Sequence, residues 1–204
     1  MGHYRESIAL LDTIAGLGLG STPERAAANR ALWLVRVATV AAAMNDTLRL
    51  AVLNDTIRIL GSGSPFARDL RSHHYVRGLL FAQQGRDERA VAEFRQSIVS
   101  PLTDVAPQLQ IARSLLRLGR AREAATMLSR LIRARFMSIT SVSTHTELHE
   151  LSAQAWDAAG EPDSALVHYR AVAQSWRRAD PFLRDRFETA RARLAALQGS
   201  RNAP

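Results

Sequence analysis

His145-Thr146-Glu147-Leu148-His149 sets two imidazoles one helical turn apart, a spacing that could grip a metal ion. A zinc-dependent peptidase needs its glutamate directly after the first histidine. Here the glutamate comes second, so a general base would point elsewhere. A zinc site also needs more ligands than this pair supplies. Gly16-Leu17-Gly18-Leu19-Gly20-Ser21 has the glycine density of a phosphate loop. It follows a helical pattern rather than a strand, however, and lacks the lysine of a P-loop, so it reads as a turn. The adjacent His73-His74 has no nucleophile near it that spacing reveals. Cysteine is absent, which removes disulfides, thiolate catalysis and thiolate-held metals. No catalytic residue, metal or cofactor is expected, and the chain does not read as an enzyme.

What remains is a folded helical chain that offers surfaces. Its 204 residues, 47% hydrophobic and 23% charged, suit one domain or a short solenoid and exclude a disordered segment. The first residues lack a basic region leading into an apolar one. The most apolar window, Ala31 to Met44, is short for a span and carries Arg36. The expectation is a cytoplasmic protein with no membrane partner. All 27 basic residues are arginine, which points to codon bias as much as to phosphate binding. Residues 113–135 hold seven arginines against Glu123, whereas residues 136–176 hold one arginine against five acids. Such alternation favours contacts between neighbouring units over a continuous nucleic-acid footprint, so nucleic acid is not an expected partner.

Helix signals fill the chain. An opening helix from Tyr4 to Ile14 places Ile8, Leu11 and Ile14 on one side, with Ala15-Gly16 ending it. Thr22-Pro23-Glu24 is a cap, a first-turn proline and an acid at the positive end of the dipole. That helix reaches about Met44, where Asn45-Asp46 breaks it before a second helix with Leu50, Leu53, Ile57 and Leu60. Gly61-Ser62-Gly63-Ser64-Pro65 is a tight joint: Gly61 suits a helix C-terminus, Ser64 a cap and Pro65 a helix start. Asp180-Pro181 opens a last helix bearing Leu183, Phe187, Ala190, Leu194 and Leu197, and Gly199 to Pro204 reads as a frayed end.

Between these, a pattern recurs. Gly78-x-x-Phe81, Gly85, Ala90-x-x-x-Phe94 is followed 34 residues later by Ala112-x-x-Leu115, Gly119, Ala124-x-x-x-Leu128. A third copy, Ala153-x-x-Trp156, Gly160, Ala165-x-x-x-Tyr169, comes after a longer gap. Repetition at this period signals a helical array. The glycines end each first helix, the alanines let paired helices approach, and Phe94, Leu128 and Tyr169 fill the space between them. The pattern resembles the tetratricopeptide repeat (TPR) family over residues 66–178. It departs from the family at His74, Gln108 and His149, where a tryptophan is usual, at the closing proline, kept only as Pro101, and in a longer loop from Phe136 to Thr144.

That resemblance implies an all-α, right-handed solenoid of antiparallel helix pairs. The expected layout is a degenerate half-repeat plus one repeat over 1–60, three repeats over 64–178 and a capping helix over 180–198. It also implies a scaffold or adaptor that binds a polypeptide in a concave groove walled by the first helices. The expected groove residues are Tyr75 and Leu79, then Leu109, Arg113 and Arg117, then Glu147, Glu150, Gln154 and Asp157, grading from apolar through basic to acidic. The plainer reading pairs Arg113 and Arg117 with Glu150 or Asp157; the sharper one binds a segment of mixed charge. With Tyr75, Leu79, Leu109 and Gln110 at several clamp positions of the family, and Glu147 where a base is wanted, a grip on a terminal carboxylate is not expected. The opening half-repeat leaves an apolar edge that a second copy or an upstream domain would cover. An alternative is a sensory region of a longer transcriptional regulator or signalling kinase.

If small residues set the spacing of the helix pairs, Ala124→Leu overpacks the second pair and lowers stability by about 1–3 kcal/mol in chemical denaturation. An unchanged denaturation midpoint would show that the pairing is wrong.

Overall fold

The structure is a computed structural model, and it describes every residue except 1, 21, 65, 102–103, 134–144 and 202–204. The expected helix start at Pro65 and the expected long loop from Phe136 to Thr144 lie outside the described residues. Among the described residues the chain is all-helical: α1 (Gly2–Gly16), α2 (Pro23–Ala43), α3 (Thr47–Ser62), α4 (Ala67–Gln83), α5 (Asp87–Ser97), α6 (Val105–Arg117), α7 (Ala121–Arg133), α8 (His145–Ala158), α9 (Pro162–Ser175) and α10 (Arg184–Arg201). No helix of the described residues is long and apolar enough to cross a membrane. Two compact units divide the chain, residues 1–101 and residues 102–204.

In the first unit each helix packs on the next, and α2 also touches α4. In the second unit α6 packs on α7, α7 on α8, α8 on α9 and α9 on α10, with α6 touching α8. In both units, therefore, the first helices of successive pairs meet directly.

Three turns carry the same hydrogen bonds. Gly85, Gly119 and Gly160 have φ of 69°, 73° and 75°, a region that costs a side-chain-bearing residue 1 kcal/mol or so. Just after each, an amide reaches back across the turn: Arg86 to the Phe81 carbonyl (2.9 Å), Arg120 to Leu115 (2.8 Å) and Glu161 to Trp156 (2.9 Å). These bonds satisfy carbonyls that the ending helix would otherwise leave without partners. A fourth turn has the same form without a glycine. Asn45 has φ of 57°, and the Asp46 amide donates to the Ala41 carbonyl at 3.0 Å. The α2–α3 turn thus has the form of the other three, with asparagine in the glycine's place and Leu50 where they carry a small alanine.

The small-on-large contact is tightest at Gly78. A Cβ there would lie 2.6 Å from two ring carbons of Phe94, itself fully buried. Its counterparts Ala112 and Ala153 are also fully buried, as are Ala90, Ala124, Ala165 and Leu128. Gly61 plays a different part from the one its sequence implies. It sits within α3 rather than after it, and a Cβ there would run into the Asp69 carbonyl, so glycine lets α3 and α4 meet. Ser64 is not the helix cap, which Phe66 provides. Its hydroxyl accepts the Phe66 amide (3.2 Å) and donates to the buried Asp69 carboxylate (2.7 Å).

The C-terminal element also differs from expectation. Asp180-Pro181 opens a 3-10 turn, Pro181–Leu183, before α10 begins, and α10 continues through Gly199 to Arg201. Its apolar side, Phe187, Ala190, Leu194 and Leu197, packs with Leu166, Tyr169, Val172 and Trp176 of the α9 region.

Gly78→Ala forces Phe94 to move and lowers stability by about 1–3 kcal/mol, although alanine is the better helix former. Adding Phe94→Leu to Gly78→Ala recovers part of that loss in a double-mutant cycle; strictly additive effects would show that the two residues do not meet.

Candidate functional site

The nine expected groove residues do not stay together as one surface. Tyr75, Leu79 and Leu109 lie in the interior, 6%, 3% and 2% exposed, which corrects their placement on a groove wall. The reason is helical register: Tyr75 stands one turn from Gly78 on the side facing α5, and its ring packs against Phe94 with centroids 5.8 Å apart. The polar residues behave differently. Arg113 and Arg117 on α6 and Glu150 and Gln154 on α8 converge with Leu116, Leu151 and Arg186 around an open depression of about 430 Å³ in the second unit. The depression exists because α6 and α8 touch, so faces well apart in sequence become adjacent.

The acids of α8 have partners other than the ones their sequence implies. Glu150 takes a two-pronged grip from Arg186 of α10, with Nε donating to Oε1 at 3.0 Å and Nη2 donating to Oε2. Glu147 lies 3.7 Å from the same guanidinium. Asp157 accepts from Arg193, Nη2 to Oδ1, at 2.8 Å and from the Tyr169 hydroxyl at 3.3 Å. Arg186 and Arg193 are seven residues apart, as are Glu150 and Asp157, so two turns of one helix match two turns of the other. Hydrogen bonds from Arg193 hold Asp157 below the ordinary carboxylate range, and the bond to Glu150 raises Arg186 further. Burial, with Asp157 beside it, pushes the Tyr169 hydroxyl up to about 12. The expected pairing of Arg113 and Arg117 with Glu150 or Asp157 is thus replaced by pairing with α10. The Arg186 guanidinium also lies 4.7 Å from the centre of the Trp176 ring, which fixes its direction. α10, read as a cap, is also a source of charge at the site, and the spacing of its arginines was the signal available for it.

A second constellation spans α8 and α9. The Nδ1 atoms of His149 and His168 are 2.8 Å apart, and the His145 ring is 4.7 Å from that of His149. In such a contact one Nδ1 donates and the other accepts, so the accepting ring is neutral when the bond is made and the two rings cannot both be charged. Burial lowers His168 to about 4, with His149 adding to the effect; burial and then His145 lower His149. Among the described residues no three His, Asp or Glu side chains are placed to hold a metal ion. In the first unit, His74 occupies the equivalent place and pairs with Glu93 of α5, Nδ1 to Oε2 at 2.8 Å, while Arg77 reaches the same oxygen at 2.8 Å. Burial would raise Glu93, but the bonds from Arg77 and His74 hold it below the ordinary carboxylate value. Both pairs join residues 19 apart. At 74 and 149 a histidine is thus matched by a partner on the following helix, whereas Gln108, at the corresponding place in α6, donates to the Asp104 carbonyl at 3.1 Å.

No protein-family model matches the chain, and no curated protein matches its sequence.

The histidine pair carries a pH signature. With the folded His168 lowered from 6.5 to about 4, the unfolded chain takes up a proton that the folded chain refuses across that interval. Stability therefore falls as pH drops from about 6.5 to about 4, by on the order of 1–2 kcal/mol once the half-buried setting is discounted for solvent screening. Urea denaturation of His168→Gln across this range should give a flatter profile than the parent. An equal decline in both would remove the histidine pair as its cause.

Proposed function

We propose that the chain is a protein-binding module whose helix pairs stack, within each unit, as a right-handed solenoid of TPR type. Its second unit holds a polypeptide segment in the depression between α6, α8 and α10. The observation that carries this reading is the convergence of Arg113, Arg117, Glu150 and Gln154, from two successive first helices, on one open cavity of about 430 Å³. Clefts of roughly 300–1,000 Å³ accommodate small ligands or a few side chains. The glycine-ended turns and the direct contact of α6 with α8 support the same reading, because stacked pairs with their first helices adjacent generate an extended inner wall. Leu116 and Leu151 supply apolar area, and the charged groups around them supply orientation.

Photo-crosslinkers placed at Arg113 and Gln154 should trap one partner, and that partner, purified, should bind the whole chain directly. Arg113→Glu should weaken the complex by about tenfold or more with an unchanged melting temperature, since Arg113 is partly exposed and makes no ion pair among the described residues. Crosslinks mapping to another face, or equal affinity in the variant, would remove the depression from the interaction. Asp157 is a poor choice for such a test, because reversing its charge also breaks its bonds to Arg193 and Tyr169.

A further inference from the structure

Read along the helices, the walls of the depression balance: arginines from α6 face acids from α8. In three dimensions that balance is lost. Both oxygens of Glu150 are engaged by Arg186, and the Glu150 side chain is only 13% exposed, so its charge faces a bidentate counter-ion and little of it is open to a ligand. Asp157, one wall further along, is held by Arg193 and the Tyr169 hydroxyl. On the opposite wall nothing comparable happens to Arg113, which makes no ion pair among the described residues. The last helix therefore withdraws Glu150 from the surface and leaves the Arg113 guanidinium without a balancing carboxylate among the described residues.

Resting on the polypeptide-binding reading above, we infer that the depression selects acidic segments: an internal Asp or Glu side chain pairs with the Arg113 guanidinium while an aliphatic neighbour sits against Leu116 and Leu151. A guanidinium in a partly enclosed setting favours a carboxylate because two parallel N–H···O bonds fit its planar fork. A basic segment meets the opposite circumstances. The carboxylate that could receive it, Glu150, already has a bidentate partner, and displacing Arg186 also removes that guanidinium from the Trp176 ring. The leucines favour peptide over nucleic acid, since among the described residues the lining includes no aromatic face on which a base could stack.

The experiment uses the whole chain and three fluorescein-labelled short peptides, acetylated and amidated so that no terminal carboxylate is present. One alternates Glu with Leu, one Arg with Leu and one Gln with Leu. Fluorescence anisotropy should show the Glu peptide binding at least about tenfold more tightly than the other two, with affinity falling as salt rises. Arg113→Glu should abolish that preference and turn it toward the Arg peptide; Arg113→Gln should abolish it without the reversal, and circular dichroism melting checks both variants for folding. A tighter Arg peptide whose binding depends on Gln154 and Arg113 would overturn the acidic preference while leaving the depression as a peptide site. Failure of all three peptides would overturn the preference as well, and the crosslinking result then judges the peptide site separately. Arg113-dependent binding of a single-stranded oligonucleotide that displaces the Glu peptide would replace the proposal with a phosphate site.

Discussion

Two helices joined by a tight turn can close on each other only where one offers a notch for the other's bulkiest side chain. Here that notch is Gly78 against Phe94, and the approach is close enough that one added carbon has nowhere to go. Alanine stands at the matching positions 112 and 153, both fully buried, and Ala153 shares a core cluster with Tyr169. Burial of these side chains is what favours closure, and each contributes roughly 1.5–3 kcal/mol relative to exposure. A position that admits only a small residue also fixes the axial register, because any slide of one helix along the other drives the large side chain into a wall. Turn geometry, face assignment and the contact between α6 and α8 all follow from that register.

Polar groups then occupy the places that packing leaves to them. Where the pair interface admits a side chain near its end, the chain uses His74 with Glu93 and His149 with His168 instead of one large aromatic ring. Each solution satisfies buried nitrogen or oxygen atoms across the turn, as burial requires. They differ in pH response. The first pair includes a carboxylate supported by Arg77, and the second consists of two bases that repel when both are charged. Burial and the neighbouring imidazole lower His168 to about 4, so the α8–α9 contact opposes its protonation.

The final helix has a double part. Its apolar stripe covers Leu166, Tyr169 and Val172, and its arginines lie over the acids of α8. The carboxylates of both pairs are largely covered while their arginines stay partly exposed, and the Arg186–Glu150 pair lies in the lining of the depression.

Helix content, the glycine-ended turns and the core identities of Phe94, Leu128 and Tyr169 were legible in the chain alone, because they depend on spacing within a few turns of helix and on backbone conformations that only certain residues adopt. The α2–α3 pair was half legible: its hydrophobic spacing was visible, while the form of the turn at Asn45 was masked by a residue that reaches the left-handed region despite its side chain. Tyr75, Leu79 and Leu109 were read outward, since a one-dimensional pattern counts polar and apolar faces but cannot tell which apolar residues a neighbouring helix will cover. The tertiary structure alone decided which acid meets which arginine. Charge acts through space, and the partners of Glu150 and Asp157 lie 36 residues away, brought within reach by the packing of α10 onto α9.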